Sequence, residues 1–280
     1  MKILLAGCGD IGQKIAMQLT GHHQCYGLKR NPVDLDSSII PIAADLGDAK
    51  ALLTVFKQGF DVVVVTMTPD ARNEAAYQRA YVDTASSLAR VINQTDCPPK
   101  LVIWVSSTGV YGEHKGAWVD EKTPATPTTY SGRALLNAEQ AITRSVSDTI
   151  IVRFSGIYGP GRLALIASVQ KGLGKPSSPE RWTNRIHSED CAGFLTYLIR
   201  QKIAGASLEA LYIGSDNEPV TQHDIRVWLA KKLGVTLVED VISKNTSSLP
   251  NRRCDNKRLR QSGYKLQYAT FREGYVPLLL

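Results

Sequence analysis

The sequence has few cysteines and aromatic residues and no long apolar run. Its five cysteines are scattered and never spaced as Cys-x-x-Cys, so neither a disulfide framework nor a zinc site is indicated, and reduced thiols favour a cytoplasmic location. No histidine spacing indicates another metal. The apolar run at residues 3–6 is too short for a secretory signal or a membrane span, so we expect neither.

The net charge of +7 raises the question of a nucleic-acid partner. Basic residues are spread along the chain without interleaved aromatics, which argues against one. The densest basic cluster is interpreted as a solvated face and consists of Arg252, Arg253, Lys257, Arg258 and Arg260. At 280 residues, 43% hydrophobic and 21% charged, the chain is typical of a globular protein that buries its core without crosslinks.

Short apolar runs alternate with helix-length amphipathic segments from residue 2 to about 155. This alternation predicts an α/β fold whose parallel sheet is covered by helices on both faces. The predicted strands are Lys2–Ala6, Gln24–Leu28, Ile39–Ala43, Asp61–Thr66, Leu101–Ser106 and Thr149–Phe154. Helical patterns return at about 189–200 and 221–233, the second with Thr221 as N-cap and Gly234 after its end.

A glycine-rich loop joins the first predicted strand to the first predicted helix. It reads Gly7-Cys8-Gly9-Asp10-Ile11-Gly12, and its position between strand and helix is typical of a dinucleotide-binding Rossmann fold. In such a loop the first glycine permits the tight turn, the second lets the backbone approach a pyrophosphate, and the third lets helix and strand pack closely. The helix N-terminus attracts the phosphate charge. We therefore predict a nicotinamide dinucleotide at this loop.

The residues after the second strand bear on which dinucleotide is bound. An NAD site usually has an acidic residue there, whereas this chain has Lys29 and Arg30, which would pair with the 2′-phosphate of NADP or else point into solvent. NADP is the predicted cofactor and NAD the alternative. Asp45 either accepts from the adenine amino group or flanks a helix as an N-cap-like residue. Leu46 and Thr66 complete the part of the predicted cofactor set that lies in this half of the chain.

The doubly wound fold is expected to comprise a core and a smaller lobe. After Phe154 the sequence is rich in glycine and proline, which predicts loops. The core is predicted to be residues 1–154, with 187–210 packing back on it. The smaller C-terminal lobe, predicted to bind the substrate, consists of 155–186 and 211–280.

Nearly the whole chain resembles the extended short-chain dehydrogenase/reductases of the NAD-dependent epimerase/dehydratase type. Besides the glycine loop, the resemblance rests on the segments 105–112, 153–162, 185–190 and 212–234. It implies that Ser107 lies over the nicotinamide, that Gly156 and its neighbours to Tyr158 line the cofactor cleft, and that residues 172–185 and the tail shape a pocket for a small-molecule substrate. It also implies a homodimer formed through helices at 71–95 and 131–145.

The chain departs from that family at the catalytic dyad. The family uses a Tyr and a Lys four residues apart on one helix face, where the Lys lowers the pKa of the Tyr. Here Ser131 and Leu135 occupy those positions, and no shift of register restores the pair. The only Tyr-x-x-x-Lys, Tyr111 to Lys115, lies in a predicted loop and is treated as coincidence. Thr108 and Gly109 replace the Asp-Glu pair of the dehydratase branch, which argues against sugar dehydration by that route.

Other groups could still do the chemistry. Tyr130, one residue off register, is the candidate acid, with Ser107 polarising the substrate oxygen and Arg133 or Arg162 supplying positive charge. Arg162 and Arg185 are the predicted substrate-binding residues. Asp120 and Glu121 could act as a general base, but surface acids are the favoured interpretation. His187 is expected in the turn before a helix and His22-His23 in a surface loop.

Two functions of different classes remain open at this point. The first is an NADP-dependent oxidoreductase or epimerase-like enzyme acting on a hydroxyl or carbonyl substrate, with a nucleotide-linked substrate as one option. The second is a non-catalytic dinucleotide-binding protein that reports cofactor level to a partner. The missing dyad favours the second, whereas Arg162, Arg185 and Ser107 exceed what cofactor binding alone requires, so the enzyme is the preferred interpretation.

Overall fold

The structure, a computed structural model, describes residues 1–146, 148–238 and 250–279. Its strands in chain order are β1 (Lys2–Ala6), β2 (Gln24–Lys29), β3 (Ile40–Ala43), β4 (Val62–Val65), β5 (Leu101–Ser107), β6 (Trp118–Val119), β7 (Thr149–Phe154), β8 (Gly156–Tyr158), β9 (Trp182–Thr183), β10 (Arg185–His187), β11 (Leu211–Gly214), β12 (Val220–Thr221) and β13 (Arg253–Cys254). Seven of them form the parallel central sheet in the order β11-β7-β5-β4-β1-β2-β3. The predicted doubly wound α/β fold is confirmed.

The helices in chain order are α1 (Asp10–Leu19), α2 (Ala49–Phe56), α3 (Glu74–Tyr77), α4 (Thr84–Gln94), α5 (Tyr130–Ser145), α6 (Ala164–Gln170), α7 (Ser188–Ile203), α8 (Gln222–Leu233), α9 (Lys257–Gln261) and α10 (Phe271–Tyr275). A π-helix, Gln78–Asp83, joins α3 to α4 without a break. The predicted caps of α8 are confirmed: the Thr221 side chain accepts from the Asp224 N–H, and Gly234 is left-handed with φ 67°.

The six predicted strands are present and differ from the prediction only at their ends, whereas β11 of the central sheet and the short strands β6, β8, β9, β10, β12 and β13 were not predicted. Asp61 and Thr66 flank β4: the Asp61 carboxylate accepts from the Lys2 N–H at 2.9 Å, and the Thr66 hydroxyl donates to the Gly7 carbonyl at 3.0 Å. Ile39 precedes β3, whereas Lys29 and Ser107 each extend a strand by one residue.

Contacts divide the chain into two compact units. The first consists of Met1–Val110, Pro127–Arg153 and Cys191–Tyr212, and the second of Tyr111–Thr126, Phe154–Asp190 and Ile213–Leu280. The four valines of β4 are at most 1% exposed, as expected for a strand covered on both faces. The predicted substrate lobe, 155–186 and 211–280, stays a prediction, and its residues 239–249 and Leu280 lie outside the described residues.

The second unit has its own apolar core and short two-stranded sheets. β8 pairs with β10, β12 with β9, and β13 with β6. Its core is built on α6, α8 and α10 and includes Ile166, Val169, Ile225, Leu229 and Phe271. In the described parts of the chain, no helix is long and apolar enough to cross a membrane.

Candidate functional site: the glycine-loop pocket

The turn after β1 requires glycine at its first position. Gly7 has φ +77°, and a Cβ there would lie 2.6 Å from Met67 Sδ and 3.2 Å from the Met67 backbone. The Gly7 N–H donates to the Leu28 carbonyl at 2.9 Å, and Thr66 Oγ1 donates to the Gly7 carbonyl. The loop is thus held from the β2 side and from the β4 side.

The second and third glycines differ in what surrounds them. Apart from its chain neighbours and its own helix, the described residues place only the Gly7 carbonyl oxygen, at 3.9 Å, within 4 Å of a Cβ at Gly9, so Gly9 faces open space. A Cβ at Gly12 would lie 3.2 Å from Cys8 Sγ, so Gly12 permits close packing behind the loop. Gly9 is the N-cap of α1 and no side chain caps that end, which leaves backbone N–H groups for a ligand.

Cys8 is fully buried between the loop and the sheet. A Cβ at Gly12 would lie 3.2 Å from its sulfur and one at Gly27 3.1 Å from it, so the thiol fills the space that these glycines leave. Burial raises the pKa of the Cys8 thiol to about 11. The group is therefore a packing residue and not a reactive thiolate at neutral pH.

A pocket of about 900 Å³ opens in front of this loop. Residues that follow β1, β2, β3 and β4 line it, together with one face of the helical stretch 74–94. The carboxyl ends of parallel strands are where open α/β sheets bind their ligands. Among the lining residues are the predicted Gly7, Cys8, Gly9, Lys29, Arg30, Asp45 and Leu46.

Other members of the predicted cofactor set lie behind or beside the loop. Asp10, Ile11 and Gly12 form the first turn of α1, where Ile11 is buried and Asp10 pairs with Lys14 at 3.6 Å. The alternative interpretation of Asp45 as an N-cap is wrong: its Oδ1 accepts from the Gly47 N–H, and Asp48 is the N-cap of α2.

Both cations at the carboxyl end of β2, Lys29 as its last residue and Arg30 as the next, already have acidic partners. Lys29 Nζ donates to Asp34 Oδ1 at 2.6 Å, and this hydrogen bond holds the pKa of the Asp34 carboxyl below its usual range. Arg30 Nη1 lies 3.6 Å from Asp70 Oδ2. A phosphate arriving here would have to compete with these carboxylates.

Several pocket residues were not predicted from the sequence. Met67, Thr68 and Asp70 follow β4, and the helical stretch contributes Ala76, Arg79, Ala80, Asp83 and Thr84. Their spacing of three and four residues places the helical members on one face, which is the sequence signal that could have found them.

The candidate catalytic residues of the first unit lie at β5 and α5. Ser107 Oγ accepts from the Gly109 N–H at 3.1 Å. Tyr130 begins α5, donates its hydroxyl to the Arg72 carbonyl at 3.0 Å and packs edge-on against Tyr77. Arg133 is exposed and donates to the Thr128 carbonyl at 3.3 Å.

The two positions of the family's dyad are occupied by a hydroxyl and by a buried apolar side chain. Ser131 Oγ lies 3.0 Å from Thr129 Oγ1 at the N-terminus of α5. Leu135 is 5% exposed, so an apolar side chain fills the position of the family's lysine. A Cβ at Gly132 would lie 2.7 Å from Pro127 and 2.8 Å from the Gly109 carbonyl, so this helix turn approaches the backbone after β5 closely.

A buried charged cluster lies one residue before Ser107. Arg153 on β7 donates from Nη2 to Glu139 Oε2 at 2.6 Å and from Nε to Oε1 at 3.0 Å, and Ser106 Oγ donates to Oε1 at 2.5 Å. The Arg153 and Glu139 side chains are 8% and 6% exposed. The cluster joins β5, α5 and β7, and sequence analysis missed it because the partners lie on different elements.

The remaining predicted residues belong to the second unit. Gly156 begins β8 and donates its N–H to the Asn184 carbonyl at 3.0 Å. Arg162 is exposed and its N–H donates to the Gly159 carbonyl. Arg185 is half-buried at the start of β10 and donates from Nη1 to Thr183 Oγ1 at 2.7 Å.

Three interpretations of polar residues in the second unit are wrong. The Glu121 side chain is 6% exposed and accepts from the Ile213 N–H, so it is not a surface acid. His187 ends β10 and is buried, packed against Tyr158 and Tyr268, instead of lying in a turn.

The interpretation of the basic cluster as a solvated face is the third, and it is wrong for Arg252 and Arg253, whereas Lys257 and Arg260 are exposed as expected. Arg252 is buried and donates to the Gly112 carbonyl at 3.0 Å. Arg253 lies between Trp118 and Trp182, with its guanidinium carbon 5.1 and 4.8 Å from the two ring centroids. Arg260 donates from Nε to Asn256 Oδ1 at 2.9 Å.

Asp216 is a buried acid of the second unit that holds a proton near neutral pH. It is 1% exposed, its Oδ1 accepts from the Glu218 N–H, and within the described residues its Oδ2 has no hydrogen-bond partner. Burial raises the pKa of Asp216 to about 8. Since the folded state binds this proton more tightly than the unfolded chain, the associated stability is full below pH 4 and is lost as the pH rises to 8.

We therefore expect the free energy of unfolding to depend less on pH in Asp216→Asn than in the wild type. The difference in free energy of unfolding, variant minus wild type, should rise between pH 5 and pH 8 by at most about 1.4 kcal/mol per pH unit. Urea denaturation at three pH values measures it, and the difference isolates Asp216 from Asp190, another buried acid whose pKa is raised by burial. Parallel stability profiles for the two proteins would contradict a proton on Asp216.

Within the described residues, no group of three or more His, Cys, Asp or Glu side chains could hold a metal ion. All five cysteines are free thiols, and Cys97 alone among them is exposed.

Comparisons with known proteins agree with the fold. The model of the RmlD substrate binding domain matches residues 1–275. A protein from Methylobacillus flagellatus, described provisionally as an NAD-dependent epimerase/dehydratase, is 34% identical, with 99% of this chain and 97% of that chain covered and a TM-score of 0.82. A conserved protein of unknown function from Silicibacter pomeroyi is 25% identical, with coverages of 99% and 98% and a TM-score of 0.77.

A more distant structure shows the same fold. It is a dTDP-glucose 4,6-dehydratase from Streptomyces venezuelae with NAD and TYD bound, 18% identical, with 100% of this chain and 96% of that chain covered and a TM-score of 0.79. A comparison with proteins of curated function finds no significant match. The resemblance inferred from the sequence is confirmed, and the chain belongs to the RmlD substrate binding domain family, within the extended short-chain dehydrogenase/reductases.

Proposed function

We propose that this protein is an NAD(P)-dependent, epimerase-like oxidoreductase that binds its dinucleotide in the glycine-loop pocket and acts on a small molecule carrying a hydroxyl or carbonyl group. The observation that carries the proposal is the open space in front of Gly9, next to the uncapped N-terminus of α1 and inside a pocket lined by the ends of four neighbouring strands. When bound, the nicotinamide would supply hydride chemistry. The chain would bind the pyrophosphate, orient the adenosine and hold the substrate's proton.

The names of structures with the same fold point to a narrower substrate class than hydroxyl or carbonyl compounds in general. The dehydratase from Streptomyces venezuelae is named for dTDP-glucose, and another structure of the same fold contains UDP-glucose and NAD. A nucleotide-linked sugar is therefore the substrate class we propose for this chain, with Arg162 and Arg185 as the cations that would meet its phosphates. Free thiols throughout the chain support the cytoplasm as its location, and the homodimer through the helices at 71–95 and 131–145 also stays a prediction.

NADP is the cofactor that the charges favour. Lys29 and Arg30 line the pocket, and a guanidinium pairs well with a phosphate monoester. Parallel calorimetric titrations with NADP and NAD test two claims: that the pocket binds a dinucleotide, and that it prefers NADP. Binding of neither cofactor at millimolar concentration would contradict the pocket assignment, whereas equal affinities or tighter NAD would contradict the NADP preference alone.

A non-catalytic dinucleotide sensor is the second candidate, favoured by Ser131 and Leu135 at the dyad positions. The two candidates differ in turnover. A panel of carbonyl compounds and nucleotide sugars, monitored through nicotinamide absorbance and product analysis, separates them. Binding without turnover on the whole panel would favour the sensor.

Removing the Tyr130 hydroxyl is expected to slow the enzyme. Tyr130→Phe should lower kcat on the true substrate by about a hundredfold with little change in KM, because general acid catalysis contributes about 10²–10⁴-fold. To act, the hydroxyl must exchange its hydrogen bond with the Arg72 carbonyl for one with the substrate. Tyr77→Phe makes the same chemical change in the neighbouring ring and is the matched control. Unaltered turnover in Tyr130→Phe would transfer the role to Ser107 or Ser131.

A further inference from the structure

At the solvent edge of the glycine-loop pocket, one carboxylate lies between two guanidinium groups. Asp70 Oδ2 is 3.6 Å from Arg30 Nη1, and Asp70 Oδ1 is 3.7 Å from Arg79 Nη2. All three residues line the pocket. They come from three segments: the residue after β2, the loop after β4 and the π-helix Gln78–Asp83. The two guanidinium groups form a site for an anion, and the Asp70 carboxylate occupies that site.

The π-helix brings Arg79 to the pocket. Ala76, Arg79, Ala80 and Asp83 all line it, so one face of the continuous helical stretch is turned toward the ligand space. π-turns within α-helices occur often at functional sites because the extra residue per turn redirects side chains. The side chains of Arg79, Arg30 and Asp70 are 62%, 69% and 49% exposed, so they can rearrange around an incoming anion.

The third cation of the pocket is less available. Lys29 Nζ lies 2.6 Å from Asp34 Oδ1, about 1 Å closer than either guanidinium lies to Asp70. An anion therefore separates Asp70 from its two arginines more readily than it separates Lys29 from Asp34. Arg79 rather than Lys29 is the natural second partner of Arg30.

We propose that Arg79 and Asp70 determine the dinucleotide specificity of this pocket: Arg79 and Arg30 together hold the 2′-phosphate of NADP, and Asp70 is the carboxylate that this phosphate displaces. The inference rests on the proposed binding of a dinucleotide in the pocket. A phosphate monoester carries more charge than a carboxylate and presents three oxygens to the two guanidinium forks. NAD has a hydroxyl at the same position, leaves Asp70 between its arginines and gains nothing from either residue.

Under this assignment, substitutions of Arg79 and of Asp70 should change the affinity for NADP in opposite directions and leave the affinity for NAD nearly unchanged. Arg79→Gln should weaken NADP binding about tenfold, because one charge-assisted hydrogen bond to the phosphate is lost. Asp70→Asn should tighten NADP binding roughly three- to tenfold, because the competing carboxylate is removed while the side-chain volume is kept. NAD affinity should change less than about twofold in both variants.

Calorimetric titration of the full chain with NADP, NAD and adenosine 2′,5′-bisphosphate tests the proposal. Arg90→Gln is the matched control, since Arg90 is an exposed arginine further along α4 and its substitution makes the same change in net charge. The bisphosphate carries the 2′-phosphate without a nicotinamide and should follow NADP in every variant. Thermal unfolding of each variant shows that the fold is kept.

The outcomes separate this inference from the proposed function. If wild type binds neither dinucleotide, the proposed function fails and the inference fails with it. If wild type binds a dinucleotide but Arg79→Gln changes NADP affinity no more than Arg90→Gln does, the specificity assignment alone is overturned. Unchanged or weaker NADP binding in Asp70→Asn overturns it equally.

Discussion

Gly9→Val is expected to abolish dinucleotide binding while changing the free energy of unfolding by no more than about 1 kcal/mol. Gly9 has φ −95°, which any residue can adopt, so a side chain causes no left-handed strain. Its Cβ would enter open space in the pocket, where the described residues, apart from its chain neighbours and its own helix, place only the Gly7 carbonyl oxygen within 4 Å, at 3.9 Å. The valine would occupy the place that a pyrophosphate needs beside the α1 N-terminus.

The neighbouring glycine is the matched control for this result. Gly7→Ala places a Cβ at a residue with φ +77° and 2.6 Å from Met67 Sδ, so it should destabilise the fold by about 1–3 kcal/mol. Calorimetry measures cofactor affinity and urea denaturation measures stability in both variants. If a folded Gly9→Val protein bound the dinucleotide as tightly as the wild type does, this result would show that the dinucleotide does not approach this loop.

Glu139→Ala is expected to cost about 3–5 kcal/mol of unfolding free energy, because it leaves a buried guanidinium without its carboxylate. The loss includes the three hydrogen bonds from Arg153 and the one from Ser106 Oγ. It should appear in urea denaturation as a lower midpoint with little change in slope. The carboxyl end of β5, where Ser107 lies, would lose the hydrogen bonds through which Glu139 links it to α5 and β7.

A double substitution separates charge burial from loss of volume. Glu139→Leu with Arg153→Met replaces the pair by apolar side chains and should recover much of the stability, since such replacements are often neutral. A double variant as unstable as Glu139→Ala would assign the loss to packing. A cost below about 1 kcal/mol in Glu139→Ala itself would contradict a structural role for the pair.

What the sequence predicts well is what local chemistry determines. The Gly7–Gly12 loop follows a buried strand and begins a helix, and this context lies within a dozen residues. The caps Thr221 and Gly234 are equally local, because each acts on the helix turn beside it. The strand 62–65 consists of four valines, and an uninterrupted apolar run of this kind is enough to predict that the strand is buried on both faces.

What the sequence does not predict is which distant polar groups meet. Asp70 and Arg79 are unremarkable in the sequence, and their position at the pocket depends on how the stretch 74–94 packs beside β4. Glu139 and Arg153 lie on a helix and a strand, so neither residue alone indicates a buried pair. The same reason explains the wrong interpretation of Glu121, whose backbone partner is 92 residues away.

The packing of Cys8 makes the Gly7–Gly12 loop resistant to oxidation. With a thiol pKa of about 11, roughly one molecule in ten thousand carries a thiolate there at pH 7. Peroxide and electrophiles react with thiolates, so they would reach the exposed Cys97 long before they altered this loop. A cysteine in the middle of the glycine motif therefore adds packing without adding sensitivity to oxidative stress.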